Sequence, residues 1–291
     1  MSWAAHDLEP YVIQKHLGRK IEDDDVVTEA PIKAMIATFG RPDKAPGPGE
    51  PIAPGWHLCF LHSYARPEQL GRDGAAFEGG VLPKIPMPRR MYAGSTFTFE
   101  GDIRVGDKLR REIEFTDIQL RQGSTGTLIV TTQTRRIFTP RGLAMTEAAS
   151  TVFREDPKPG QKSGVPVREA APADVPWKRT ITPNPVMLFR YSAITFNPHR
   201  IHYDRTYCME TEGYPGLVVH GPFAQQCIFD LLRDSTPGRK VKSIAVRARA
   251  PLFDTSPFDV IGRPTSDGKG AELWTVTPKG TIAAQATATL A

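Results

Sequence analysis

Residues 220–233 read HGPFAQQCIFDLLR, and this stretch decides the fold. Pro222 stands where a helix tolerates proline, in the first turn, because the N–H it lacks would have had no partner there. Behind it Phe223, Cys227, Ile228 and Leu231 recur at i, i+4, i+5 and i+8, one broad apolar face with Gln225 and Asp230 off it. A helix so nearly apolar must be covered on most of its circumference. Strand-like sequence follows at VKSIAVRARAPL (241–252), FDVIGRP (258–264), AELWTVT (271–277) and TIAAQATATL (281–290). Helix first and consecutive strands after it means α+β with an antiparallel sheet. About five or six such strands curled round one helix would bury both of its sides.

The same order occurs earlier in the chain. Pro31–Phe39 and Pro185–Ala193 are both proline followed by an apolar helical run. Each leads to a turn, PIAPGW (51–56) and YPGLVVHGP (214–222), and then to a second apolar segment, His57–Ala65 in the first half and Phe223–Arg233 in the second. Strands follow in the first half as well, across Thr96–Leu120, Gly126–Phe138 and Ala144–Phe153. Between the halves lies REDPKPGQKSGVPVREAAPADVPW (154–177), rich in proline and charge, which reads as a linker or surface strap. The expected organisation is therefore a half at 1–153, a strap at 154–177 and a half at 178–291. The expected fold is a double hot-dog, two antiparallel sheets each wrapped round a long helix and merged side by side.

Composition bounds the function. The 291 residues carry 37 Lys and Arg against 32 acids, a net charge of +5, which suits small anionic ligands. No basic block or aromatic-flanked basic motif points to nucleic acid, and no apolar run approaches the ~18 residues of a membrane span. The N-terminus has acids early and no apolar core, unlike a secretory signal. Three cysteines, Cys59, Cys208 and Cys227, without CxxC spacing fit reduced thiols in a cytoplasmic setting.

Two histidines three apart fall in TFNPHRIHYD (195–204), sixteen residues ahead of a His-Gly-Pro turn. His199 and His202 would share a face on a helical turn and could bind metal, but no third ligand follows at a useful spacing. A loop histidine held by an Asn suits general acid–base work near neutral pH. Asn197-Pro198 ends the preceding helix, and Asp204 reads as an N-cap on a short helix stopped by Gly213. His220-Gly221-Pro222 sets helix N–H groups and partial positive charge where a developing oxyanion could sit. An ordinary turn accounts for the same residues.

Together TFNPHRIHYD, GYPGLVVHGP (213–222) and PRRMYAGSTFTFEGDIRVGDK (88–108) resemble the MaoC-like hot-dog hydratases and dehydratases. They look most like the branch of 3-hydroxyacyl-thioester dehydratase type 2 and mesaconyl-C4-CoA hydratase. That family's motif runs Asp-x-Asn-Pro-x-His. Here Thr195 stands in the place of the Asp, and two extra residues separate Asn197-Pro198 from the matching His202. His199, Asp204, or an oriented water could make up for the missing carboxylate. The resemblance implies His202 as acid–base, Asn197 as its orienting partner, His199 as the stand-in and Gly221 as part of an oxyanion hole.

The implied reaction is reversible hydration of a 2-enoyl-CoA, with no metal or redox cofactor and with CoA as part of the substrate. Arg89, Arg90 and Arg200 are candidates for CoA phosphates or a substrate carboxylate, and Tyr191 and His220 for the acyl pocket. Short dicarboxylyl-CoAs of the mesaconyl or itaconyl type compete with plain acyl chains. A non-catalytic thioester-binding subunit is the rival reading, because the first half has no string like that at 195–204. A homo-oligomer is compatible with either.

Overall fold

The computed structural model describes residues 16–76, 80–85, 87–123, 126–156 and 169–291. The N-terminal stretch read above and the proline-rich centre of the strap, 157–168, lie outside them. Ten strands form a single antiparallel sheet: β1 (Lys20–Val26), β2 (Arg89–Phe99), β3 (Lys108–Gly123), β4 (Gly126–Thr139), β5 (Gly142–Arg154), β6 (Trp177–Ile181), β7 (Val241–Ala248), β8 (Phe258–Pro264), β9 (Gly270–Val276) and β10 (Ile282–Leu290). Their order is β1-β3-β4-β5-β2-β7-β10-β9-β8-β6, so the halves join where β2 pairs with β7, Ser95 opposite Val246. The expected merging of two half-sheets is therefore the observed one.

Among the described residues three α-helices accompany the sheet: α1 (Glu29–Phe39), α2 (Pro185–Ile194) and α3 (Gly221–Ser235). Every residue of α3 from Phe223 to Leu232 is buried. Its apolar side lies on β8 and β9. Its polar side is buried too, against the other half. The Tyr92 hydroxyl donates to Gln225 Oε1, and Gln226 Nε2 donates to the Pro54 carbonyl at 3.3 Å and to Asp230 Oδ1 at 3.0 Å.

Here the structure departs from two equal units. The first-half segment expected to give the second long helix gives only a 3-10 turn, Trp56–Cys59, and continues as irregular chain. Its apolar residues Trp56, Cys59, Phe60 and Leu61 enter the same core as α3, and Phe97 of β2 meets Phe229 of α3 edge-on at 5.5 Å. One helix therefore fills much of the space that two were expected to share.

Strands β1 and β6 were not anticipated from the sequence. The first carries four acids in seven residues, and on the sheet two of them lie opposite arginines, Asp23 opposite Arg111, with which it pairs, and Asp24 opposite Arg110.

Candidate active site

A cavity of about 460 Å³ opens at the seam between the halves. Small and branched side chains, including Val218, Val219, Ala224, Val246, Ala283 and Ala284, form much of its wall. Asn197, His199, His202, Gly221 and Arg90 line it as well, so five of the sequence candidates converge on one space.

His202 ends a 3-10 turn, Arg200–His202, and is buried. The turn is tied to the chain ahead of α3, where Val218 N–H donates to the Ile201 carbonyl at 3.0 Å. His202 Nδ1 lies 2.7 Å from the Val218 carbonyl oxygen, which can only accept, so Nδ1 carries the proton and Nε2 keeps its lone pair. The His202 ring stacks on that of His220, centroids 3.7 Å apart, and His199 meets it edge-on at 5.4 Å. Burial, then the neighbouring His199, pushes His202 down to about 3 against the pull of the Val218 bond. Burial, then Arg90 and Arg89, pushes His199 down to about 3. Both imidazoles are therefore neutral near pH 7.

Asn197 acts locally, its Oδ1 accepting from His199 N–H at 3.1 Å, which fixes the turn that carries both histidines. Asp204 is the N-cap expected of it: Oδ1 accepts from Tyr207 N–H at 2.9 Å and Oδ2 from Arg200 at 2.7 Å. The helical stretch that it caps ends as a π-turn, Tyr207–Thr211, with Gly213 left-handed after it. Asp204 is thus held away from the histidines.

Gly221 opens α3, whose first N–H groups have no partners within the helix. A Cβ on Gly221 would come 2.3 Å from Cδ1 of Tyr92, so glycine is required by the ring packed against it. Tyr92 reaches that place through a bulge in β2, where the register with β5 shifts between Tyr92 and Gly94. Residues 90–93 of the PRRMYAG stretch (88–94) thus form, in space, part of the first half's wall of the site.

Four other candidates lie elsewhere. Arg89 is buried and ion-paired with Glu212, and its Nη2 donates to the Glu212 carbonyl at 3.1 Å. As neighbours on one strand, Arg89 and Arg90 point to opposite faces, and the cavity lies on the Arg90 side. Arg200 is turned outward onto Asp204, over the Tyr207 ring. Tyr191 is fully buried on the inner side of α2, between Phe39 and Phe223. His220 backs the site, its Nε2 sharing a 2.8 Å hydrogen bond with Ser192 Oγ. None of the four lines the cavity.

Sequence reasoning missed Tyr92, the Val218 carbonyl and Asp73, which lies beside His199 and Arg90. Tyr92 left a trace as the aromatic of the PRRMYAG stretch (88–94), and Asp73 as an Asp-Gly turn signal.

The family model for hydroxyacyl-thioester dehydratase type 2 matches residues 55–254. The chain belongs to that family. As a member of it the chain is an enzyme, a hydro-lyase of acyl thioesters. A mesaconyl-C(4)-CoA hydratase of Chloroflexus aurantiacus is 38% identical over 279 residues, 94% of this chain and 96% of the relative. Among solved structures, HtdX of Mycobacterium tuberculosis superposes with a TM-score of 0.64 at 17% identity, over 93% of this chain and 99% of that one. A second protein of that organism, described as a double hot-dog, gives 0.57 at 11% identity over 94% and 96%. The dehydratase shares their fold. Among its described residues no helix is long and apolar enough to cross a membrane.

Proposed function

We propose that the dehydratase adds water reversibly across the double bond of a short, branched 2-enoyl-CoA whose β-carbon carries a carboxylate, as in mesaconyl-C4-CoA. The observation that carries the reading is the tautomer of His202, which leaves Nε2 as a neutral base in a cavity shared with Gly221. Water bound there gives a proton to His202 Nε2 as its oxygen adds to the β-carbon. Electron density moves through the α-carbon to the thioester oxygen, and the N–H groups at the start of α3 stabilise that charge; one such donor contributes about 3 kcal/mol. The proton on His202 then passes to the α-carbon. CoA enters only as part of the substrate, and neither metal nor redox cofactor takes part.

The substrate class rests on Arg90. In mesaconyl-C4-CoA the free carboxylate and the methyl group both sit on the carbon that receives water, so a cation is needed close to the catalytic histidines. Arg90 lines the cavity beside His199, held by Asp73 and by a 2.7 Å bond from Nη1 to the Ala76 carbonyl. The branched wall residues suit the methyl group. The relative that is 38% identical is named for this substrate. Three buried free thiols favour a reducing compartment, which we propose to be the cytoplasm.

The test follows loss of enoyl-thioester absorbance with mesaconyl-C4-CoA, itaconyl-CoA, crotonyl-CoA and a medium-chain 2-enoyl-CoA, with His202→Ala beside the native enzyme. Preference for mesaconyl-C4-CoA, lost in the variant, is the expected result. Preference for the medium chain would replace the substrate reading with a plain-chain dehydratase. Turnover that survives in the variant would remove His202 from the mechanism.

A further inference from the structure

The loop that carries both histidines brings no carboxylate of its own to the cavity. Thr195 Oγ1 donates back to the Tyr191 carbonyl at 2.7 Å, and Asp204 is used as a cap. The buried carboxylate against this loop comes from the other half of the chain. Asp73 is 2% exposed and sits in a tight turn in which Gly71 N–H donates to the Ala75 carbonyl at 2.8 Å. That turn is docked on the histidine loop. Arg200 N–H donates to the Asp73 carbonyl at 2.8 Å, and Arg200 Nη1 donates to the Arg72 carbonyl at 3.1 Å. Gly74, at φ +82°, lies so close that a Cβ would come 2.3 Å from the Pro198 carbonyl oxygen.

One Asp73 oxygen is occupied, Oδ1 accepting from Ala75 N–H at 3.1 Å. The other is buried without a hydrogen bond. It lies 2.8 Å from Arg90 Nε, at an angle that makes an ion pair but no hydrogen bond, and 3.8 Å from His199 Nε2. An unsatisfied buried carboxylate oxygen is costly, so it draws the nearest N–H toward it. The nitrogens of an imidazole point well apart. When Nε2 faces Asp73, Nδ1 is directed elsewhere.

We infer that Asp73 is a positioning residue of the hydration reaction: it holds His199 with the proton on Nε2, so that Nδ1 presents a lone pair to the water that His202 deprotonates. This rests on the function proposed above. The water then has two acceptors, His202 Nε2 taking one proton outright and His199 Nδ1 accepting a hydrogen bond from the other. Its oxygen lone pair is thereby aimed at the β-carbon. The first half thus supplies what the histidine loop lacks, and contacts of this kind in substrate-free enzymes commonly tighten once the substrate is bound.

Asp73→Asn presents an amide to His199 in place of the carboxylate. Nitrogen-15 spectra of histidine-labelled enzyme without substrate should show the Nε2–H form of His199 in the native protein and a shift away from it in the variant. With enoyl-CoA, kcat should fall at least about 10- to 100-fold, the range for losing a group that orients a metal-binding histidine, with KM changed less than about threefold. Asp73→Asn combined with His199→Ala should fall no further than His199→Ala alone, and Asp73→Glu should recover part of the loss. Multiplying losses, or an unchanged His199 tautomer, would overturn the inference and leave Asp73 as a partner of Arg90 only. If Asp73→Asn fails to fold, Asp73→Glu with and without His199→Ala decides on the same criterion. If the native enzyme hydrates no enoyl-CoA, the proposed function fails, while the nitrogen spectra still decide whether Asp73 sets His199.

Discussion

The two halves of the dehydratase share a sheet but divide its labour. The second half has α3, fifteen residues long, with the histidines proposed to be catalytic in the loop ahead of it. The first has a four-residue 3-10 turn in the corresponding place and a histidine, His57, sealed inside. His57 Nε2 is buried without a partner, beside Glu147, whose carboxylate accepts from Ser95 Oγ at 2.7 Å and from Arg135 at 2.9 Å. Burial opposes the charge on Glu147, yet Arg135, His57 and Ser95 together keep it below the usual carboxylate range. That cluster is charged and hydrogen-bonded, but it lines no part of the seam cavity. What separates a catalytic histidine from a structural one here is access and a fixed tautomer, not residue type.

The largest expected effect tests that contrast directly. His202→Ala should lower kcat by about 10³-fold or more, in the upper range for a general acid–base. His57→Leu should leave kcat within a small factor and register in thermal unfolding instead. A large loss of turnover in His57→Leu would erase the division between the halves.

The neighbours Arg89 and Arg90 sharpen it next. Arg89→Met removes the buried cation paired with Glu212, which keeps the hydrogen bond from Tyr207, and should cost about 3–5 kcal/mol of stability, measured by denaturant unfolding, whatever the substrate. Arg90→Met should reduce kcat/KM for mesaconyl-C4-CoA by about 10- to 100-fold, the scale of a charge-assisted hydrogen bond, while sparing crotonyl-CoA. Equal losses on both substrates would mean that Arg90 supports the wall and does not read the carboxylate.

The last comparison concerns pH. Burial, opposed by Glu147, pushes His57 down to about 4, while His199 and His202 each lie at about 3. In the unfolded chain each returns to the ordinary 6.5. Between those values the unfolded state binds more protons, so stability is full above about pH 6.5 and falls as the pH drops, by up to about 1.4 kcal/mol per unit per histidine. Melting temperature from pH 7 to 5 should decline, and less steeply in His57→Leu. The kcat/KM profile should show no inflection near 6.5, because the base stays deprotonated well below that pH. An inflection there would mean that the histidines are hydrated in solution.

Much of this was readable in advance because it is local. The period of Phe223–Leu231, the alternation of the strands, the cap at Asp204 and the turn at Gly213 each depend on residues a few positions apart. The site residues of the histidine loop were legible for the same reason. Non-local facts were not. Whether HLCFLHSY becomes a helix depends on space that Phe229 and Gln226 of α3 already occupy. Arg89 is removed from the site by Glu212, 123 positions away, a pairing that no spacing rule reports. Strand β1 is set by arginines across the sheet, against the weak strand preference of its aspartates. Asp73 lies in a turn with no periodicity, and its importance comes only from docking on the other half.

The β2–β7 seam has a last consequence, for the order in which the enzyme is made. Ser95 and Val246 are about 150 residues apart along the chain, and pairings of such high contact order form late in folding. The second half leaves a ribosome last, carrying the histidines but no Arg90, Tyr92 or Asp73 until the first half has closed on it. A nascent or partly refolded chain therefore holds a base without its acyl cavity. Regain of hydratase activity after dilution from denaturant should trail the recovery of secondary structure, making turnover a reporter of the final docking step.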